Sequence, residues 1–214
     1  MSTLVGIGGP KAHGKDTLAG FLANTPESVV FGMSDRLLRA YLQLNPLVVV
    51  QPELGIRDHD GGLVQGLVRA RNLVDQVGFT EAKRVPEVRE TLVILGTHIV
   101  RDVAPNAWVD DMRKRVAAAL RDGKRVLVTG IRFPNELQLI RDLGGSAVWV
   151  ERPGHPVSTN LADPSEHSLT ATDFDLVVFN SGTVADLEVK AARILPDLFG
   201  WARQVRAPPH SSEA

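Results

Sequence analysis

The 214-residue chain contains no cysteine. That absence removes disulfides, thiolate metal sites and a cysteine nucleophile, so the fold must hold by packing. An excess of charge of one sign is also missing: 24 Lys and Arg stand against 25 Asp and Glu, a net charge of −1. No bulk basic field exists to hold duplex DNA or RNA, which argues against a nucleic-acid polymer as partner and leaves anion binding to local cation clusters. No apolar run approaches the roughly 18 residues that cross a bilayer, and no basic segment followed by such a run opens the chain. The expectation is a soluble, cytoplasmic protein with no membrane partner. His13, His98, His155 and His167 lack metal-ligand spacing, and no Ser–His–Asp order is supported.

What is present is a chain with 43% hydrophobic residues, enough for one sizeable core. Apolar runs at 4–7, 28–31, 125–129, 147–150 and 175–179 read as buried strands. Between them, helical spacing predicts helices at 15–23, after Ser34 and Asp35, at 63–77, 87–103 and 107–120, from Pro134 to residue 143, and at 184–195. This alternation predicts an α/β domain with a mainly parallel five-stranded sheet. Pro46, Pro52, Gly55, Gly61 and Gly62 break up residues 45–62, where 47–50 reads as a brief extended piece of an insertion over the site. We expect one domain over residues 1–202, with a helical insertion at about 45–122, and a flexible tail at 203–214.

The most informative stretch is Gly9-Pro10-Lys11-Ala12-His13-Gly14-Lys15-Asp16-Thr17, between the first strand and the first helix. A strand that delivers a glycine-bearing turn to a helix N-terminus points successive N–H groups inward, the arrangement that cradles a nucleotide polyphosphate. The amides of Ala12, His13, Gly14, Lys15, Asp16 and Thr17 are the candidate ATP cradle, with Lys15 spaced to reach the β- and γ-phosphates. Asp16 stands where the usual motif has Ser or Thr. It is either a direct or water-mediated Mg²⁺ ligand, or a complement to the helix dipole while Thr17 supplies the hydroxyl.

Two further clusters carry candidate cations. Arg132, in Thr129-Gly130-Ile131-Arg132-Phe133-Pro134-Asn135-Glu136, follows a strand where open α/β sheets place ligand contacts; it either neutralises transferring phosphate oxygens or pairs with Glu136. Gly130 occupies a position where an acidic residue often orients Mg²⁺. Arg101 and Trp108 suit a nucleotide phosphate and a base respectively, or else a solvated cation and a core indole. Asp35 and Arg36 face the same cleft or cap a helix.

Taken together, the Gly9-to-Thr17 loop, Leu95-Gly96-Thr97 with Arg101 and Trp108, Arg132-Phe133-Pro134-Asn135-Glu136, and Asn180-Ser181-Gly182-Thr183 resemble the deoxynucleoside monophosphate kinases of bacteriophages, across roughly residues 4–195. The resemblance implies a three-layer fold similar to nucleoside monophosphate kinases and transfer of the γ-phosphoryl of ATP, with Mg²⁺, to a deoxynucleoside 5′-monophosphate. It further implies that Lys15, Asp16 and Thr17 belong to the ATP-phosphate loop, that Lys11 reaches between donor and acceptor phosphates, that Arg132 lies near the transferring group, and that Arg101 and Trp108 belong to the acceptor side. Similar kinases are often dimers, so a homodimer through the helical middle third is among the implied assemblies. A kinase of another phosphorylated small molecule, akin to phosphomevalonate or dephospho-coenzyme A kinases, and a non-catalytic ATP-binding module are the alternatives.

Overall fold

The computed structural model describes residues 3–157 and 164–199. The expected tail at 203–214 lies outside the described residues. The chain divides into two compact units, residues 1–33 with 109–214, and residues 34–108.

The first unit is a three-layer α/β sandwich. Its strands β1 (Leu4–Gly8), β2 (Ser28–Gly32), β5 (Arg125–Ile131), β6 (Ser146–Glu151) and β7 (Leu176–Phe179) form one sheet in the order β2-β5-β1-β6-β7, and every pairing is parallel. The five expected strands are the five observed, each within about two residues of its expected limits. Both faces are buried, and side chains sort by the two-residue period of a strand. Leu4, Val126, Val128, Ala147 and Trp149 pack on one face with Val109, Met112 and Val116 of helix α6 (Ala107–Arg121) and Leu137 and Ile140 of α7 (Pro134–Asp142). Val5, Ile7, Leu127, Val148 and Val150 pack on the other with α1 (Lys15–Leu22) and α8 (Val184–Leu198). Parallel order places the loops after β1, β5, β6 and β7 at one edge of the sheet, which is where ligands bind in such folds.

The second unit holds α2 (Asp35–Leu44), an antiparallel ribbon of β3 (Leu47–Val50) and β4 (Gly66–Arg69), and helices α3 (Ala70–Ala82), α4 (Pro86–Val93) and α5 (Val100–Val103). A π-helical segment, Ile94–Ile99, joins the last two. The helix expected at 63–77 is corrected here. Residues 66–69 of it are β4, because Leu67 and Val68 pair with Val49 and Val48 across the ribbon, and the helix begins only at Ala70. Tyr41, Val48, Val50, Leu73 and Val88 form this unit's own core.

Candidate active site

The loop between β1 and α1 has the backbone shape that its sequence demands. Gly14, at the N-cap of α1, has φ 97°. A side chain there would be strained by the left-handed conformation, and its Cβ would lie 2.6 Å from Asn180 Nδ2. Ala12 also has positive φ, 62°. Left-handed residues within a turn gather successive N–H groups into an anion-binding concavity, and the α1 N-terminus adds its positive end.

The candidate phosphate lysine is folded into this loop. Lys15 is buried, and its Nζ donates to the Pro10 carbonyl at 2.5 Å. Lys11, Ala12, Asp16 and Thr17 are exposed. Arg132, half-buried at the end of β5, donates from its guanidinium to the Ser165 carbonyl at 3.3 Å. It lines a crevice with Gly9, Pro10, Ile131, Trp149, Ser165 and Leu169. The start of the loop and Arg132 therefore share one cleft.

Glu136 has a task beyond the pairing weighed for it. Its Oε2 accepts the main-chain N–H of Arg132 at 2.8 Å and of Phe133 at 3.2 Å, so this buried carboxylate fixes the turn that carries Arg132. Pro134 at the first position of α7 and an acid in its first turn were the signal for this; with Phe133 as N-cap, no Ser or Thr completes a capping box.

His13 is gripped from two sides. Its imidazole is 1% exposed, and Nδ1 accepts the Arg152 main-chain N–H at 2.9 Å. Its carbonyl accepts from the Asn180 side chain at 3.1 Å. The His155 ring meets it edge-on at 5.2 Å. Burial, then the positive fields of His155 and Lys15, hold the His13 pKa below its ordinary value, against the opposing pull of the Pro156 carbonyl and Glu151. His13, a residue expected to meet ATP, thus has its side chain committed to the fold, and only its backbone is left to the loop. Asn180 and the Arg152 amide are partners that the sequence reading did not assign.

The remaining candidates belong to the second unit. Asp35 opens α2, with exposed Arg36 beside it, and Arg101 lies in α5. Trp108 is half-buried, and its Nε1–H donates to the Gly96 carbonyl in the π-helical segment at 3.0 Å. The indole N–H is therefore used to fasten the turn that precedes Arg101.

Among the described residues no cluster of three or more His, Cys, Asp or Glu side chains could hold a metal ion. The exposed Asp16 carboxylate and Thr17 hydroxyl are hard oxygen donors beside the loop, a set that fits Mg²⁺, which keeps several waters and takes one or two protein ligands plus phosphates. No helix among the described residues is long and apolar enough to cross a membrane.

Fold and loop define the class: a three-layer α/β protein with a glycine-bearing strand–loop–helix turn at the carboxyl edge of a parallel sheet. The sequence model of deoxynucleotide monophosphate kinases matches residues 68–191, more than half of the chain. The chain belongs to that family and is a kinase. A protein of Acanthamoeba polyphaga mimivirus, provisionally assigned as a deoxynucleotide monophosphate kinase, is 24% identical over 199 residues, covering 86% of this chain and 91% of the viral protein. An uncharacterized protein of Ictalurid herpesvirus 1 (strain Auburn) is 29% identical over 116 residues, covering 52% of this chain and 49% of its own. Two solved structures align along almost the whole chain. An unliganded sugar kinase from Janibacter sp. HTCC2649 has 12% identity and a TM-score of 0.47, covering 97% of this chain and 100% of its own. Dephospho-CoA kinase from Campylobacter jejuni has 10% identity and a TM-score of 0.49, covering 94% and 100%. Scores of this size carry no argument about substrate.

Proposed function

We propose that the protein transfers the γ-phosphoryl group of ATP to the 5′-phosphate of a deoxynucleoside monophosphate, giving ADP and the deoxynucleoside diphosphate. The observation that carries this reading is the crevice in which the start of the Gly9-to-Thr17 loop meets Arg132, in a chain of this family. An acceptor phosphate oxygen attacks the γ-phosphorus and the bond to the β,γ-bridging oxygen breaks. The acceptor oxygen is already anionic, so no base need remove a proton. What the site must do is hold two anions in line and neutralise spreading negative charge.

Lys15 and the amides of residues 12–17 hold the donor phosphates, and Lys11 and Arg132 neutralise the group in transit. Mg²⁺, held by Asp16 and Thr17 together with phosphate oxygens, supplies further charge neutralisation when bound. Asp35, Arg36, Arg101 and Trp108 serve the acceptor, Trp108 by fastening the turn before Arg101. The reaction uses no membrane or nucleic-acid polymer, suits a cytoplasmic setting, and is compatible with a homodimer. The test is ADP release from ATP and Mg²⁺ with each deoxynucleoside monophosphate in turn. Turnover with at least one of them supports the proposal; ADP formed only with dephospho-coenzyme A or another non-nucleotide acceptor, or with no acceptor at all, removes it.

A further inference from the structure

The ends of two strands, β6 and β7, meet at one residue of the loop that follows β1. The His13 ring takes its hydrogen bond from Arg152, the residue after β6. The His13 carbonyl takes one from the side chain of Asn180, the residue after β7. Asn180 and the β6 end are themselves joined, since the Asn180 main-chain N–H donates to the Glu151 carbonyl at 2.7 Å. His13, residues 151–152 and Asn180 therefore close a ring of three hydrogen bonds, and each spans the gap between separate segments of chain.

We propose that His13 is a positioning residue, whose neutral imidazole, accepting at Nδ1, locks the phosphate loop into its nucleotide-ready shape before ATP arrives. This deepens the reading of the site as an ATP loop and rests on it. Three observations carry the assignment. The imidazole is buried, so it meets no ligand directly. Its acceptor nitrogen is used, which places the ring proton on Nε2, where the Pro156 carbonyl favours it. Finally, His13 immediately precedes Gly14, whose φ of 97° turns the chain into α1, so a hold on His13 sets where the following amides point.

A neutral ring is required, because a proton on Nδ1 would leave the Arg152 N–H facing another donor. The charged or titratable groups around the ring are His155, Lys15 and Glu151; the first two disfavour a second proton, while Glu151 favours it. A rigid preformed loop lowers the ordering cost of binding, so its loss should appear as weaker nucleotide affinity.

The test compares His13→Ala with His13→Asn, whose side-chain oxygen reaches the Arg152 N–H without a titrating ring. MgATP affinity is read by calorimetry, both KM values by steady-state kinetics, and the imidazole tautomer by ¹⁵N NMR of the nucleotide-free wild type. The expected result is ATP binding about tenfold weaker in His13→Ala with the acceptor KM unchanged, most of it recovered in His13→Asn, and an Nε2–H tautomer in the wild type. Unchanged ATP affinity in His13→Ala, an Asn variant as weak as the Ala one, or an Nδ1–H tautomer overturns the assignment. Should His13→Ala fail to fold, the Asn variant and the tautomer decide. Wild type that binds no MgATP sinks the kinase reading instead, and the tautomer still reports whether the lock exists.

Discussion

Gly14→Ala is the sharpest probe of the loop, because two separate costs can be worked out and then pulled apart. The first is backbone strain: an L-residue held at a left-handed φ, here 97°, loses roughly 1–2 kcal/mol. The second is steric. The new methyl would lie 2.6 Å from Asn180 Nδ2, so the carboxamide must swing away and give up its bond to the His13 carbonyl, worth about 0.5–1.5 kcal/mol. Together they predict a loss of roughly 2–3 kcal/mol, a fall in Tm of about 4–12 °C for a chain of this size. Repeating the substitution in an Asn180→Ala background separates them: with the carboxamide gone, only the strain remains. The expected coupling between the two sites, from urea midpoints of the four proteins, is about 1 kcal/mol. A Gly14→Ala protein that melts like the wild type would refute the loop conformation. An equal penalty in both backgrounds would refute the contact with Asn180.

Lys15→Ala should lower kcat by about 10²–10³-fold by withdrawing charge from the transferring group, and turnover within threefold of wild type would contradict its role. Trp108→Phe removes the donor to the Gly96 carbonyl while keeping an aromatic ring; the acceptor KM should rise several-fold with the ATP KM unchanged, in saturation kinetics run on each substrate separately. Acid should weaken the fold through His13. Its folded-state pKa is depressed, so its contribution is complete above the ordinary imidazole value near 6.5 and is lost as pH falls below it. Urea midpoints at pH 7.5 and 5.5 should therefore differ less in His13→Asn than in the wild type, and an equal difference would assign the acid sensitivity elsewhere.

The strands of the sheet were legible because each is a short apolar run bounded by turn signals, information that is local to the sequence. The ribbon was not. Leu63, Val64, Leu67 and Val68 recur at three- and four-residue intervals and so imitate a helix, while the pairing that makes residues 66–69 a strand comes from Val48 to Val50, some twenty residues earlier. The site divides the same way. Gly14, Lys15 and Asp16 could be read because the motif is contiguous. The partners of His13 lie 139 and 167 residues further along the chain, and no local pattern announces them. Glu136 is the intermediate case: its spacing from Pro134 was visible, but that its carboxylate would hold the turn below Arg132 depended on the angle at which the strand ends.

That angle explains Gly130. An acid was expected at this position as a metal ligand, and its absence looked like a gap in the site. In the structure Ile7 pairs with Thr129 and Gly8 with Ile131, so the register passes over Gly130, which is the extra residue of a bulge. Its φ is 77°, and a Cβ would meet nothing within 4 Å, so backbone conformation and not crowding favours glycine. The consequence can be followed along the strand. Val126 and Val128 face the core beneath α6 and α7, while Leu127 faces the other side. Strict alternation would send Ile131 the way of Leu127, yet Ile131 packs with Val126 and Val128. One added residue has reversed the alternation, and every side chain beyond it is re-aimed. Arg132 is the next residue, and it lines the crevice beside Gly9 and Pro10. Glycine at 130 thus helps direct the Arg132 side chain into the crevice, and a residue with a Cβ there would be strained at this φ. With that position committed to the turn, the residues proposed to hold Mg²⁺ are those of the loop, Asp16 and Thr17.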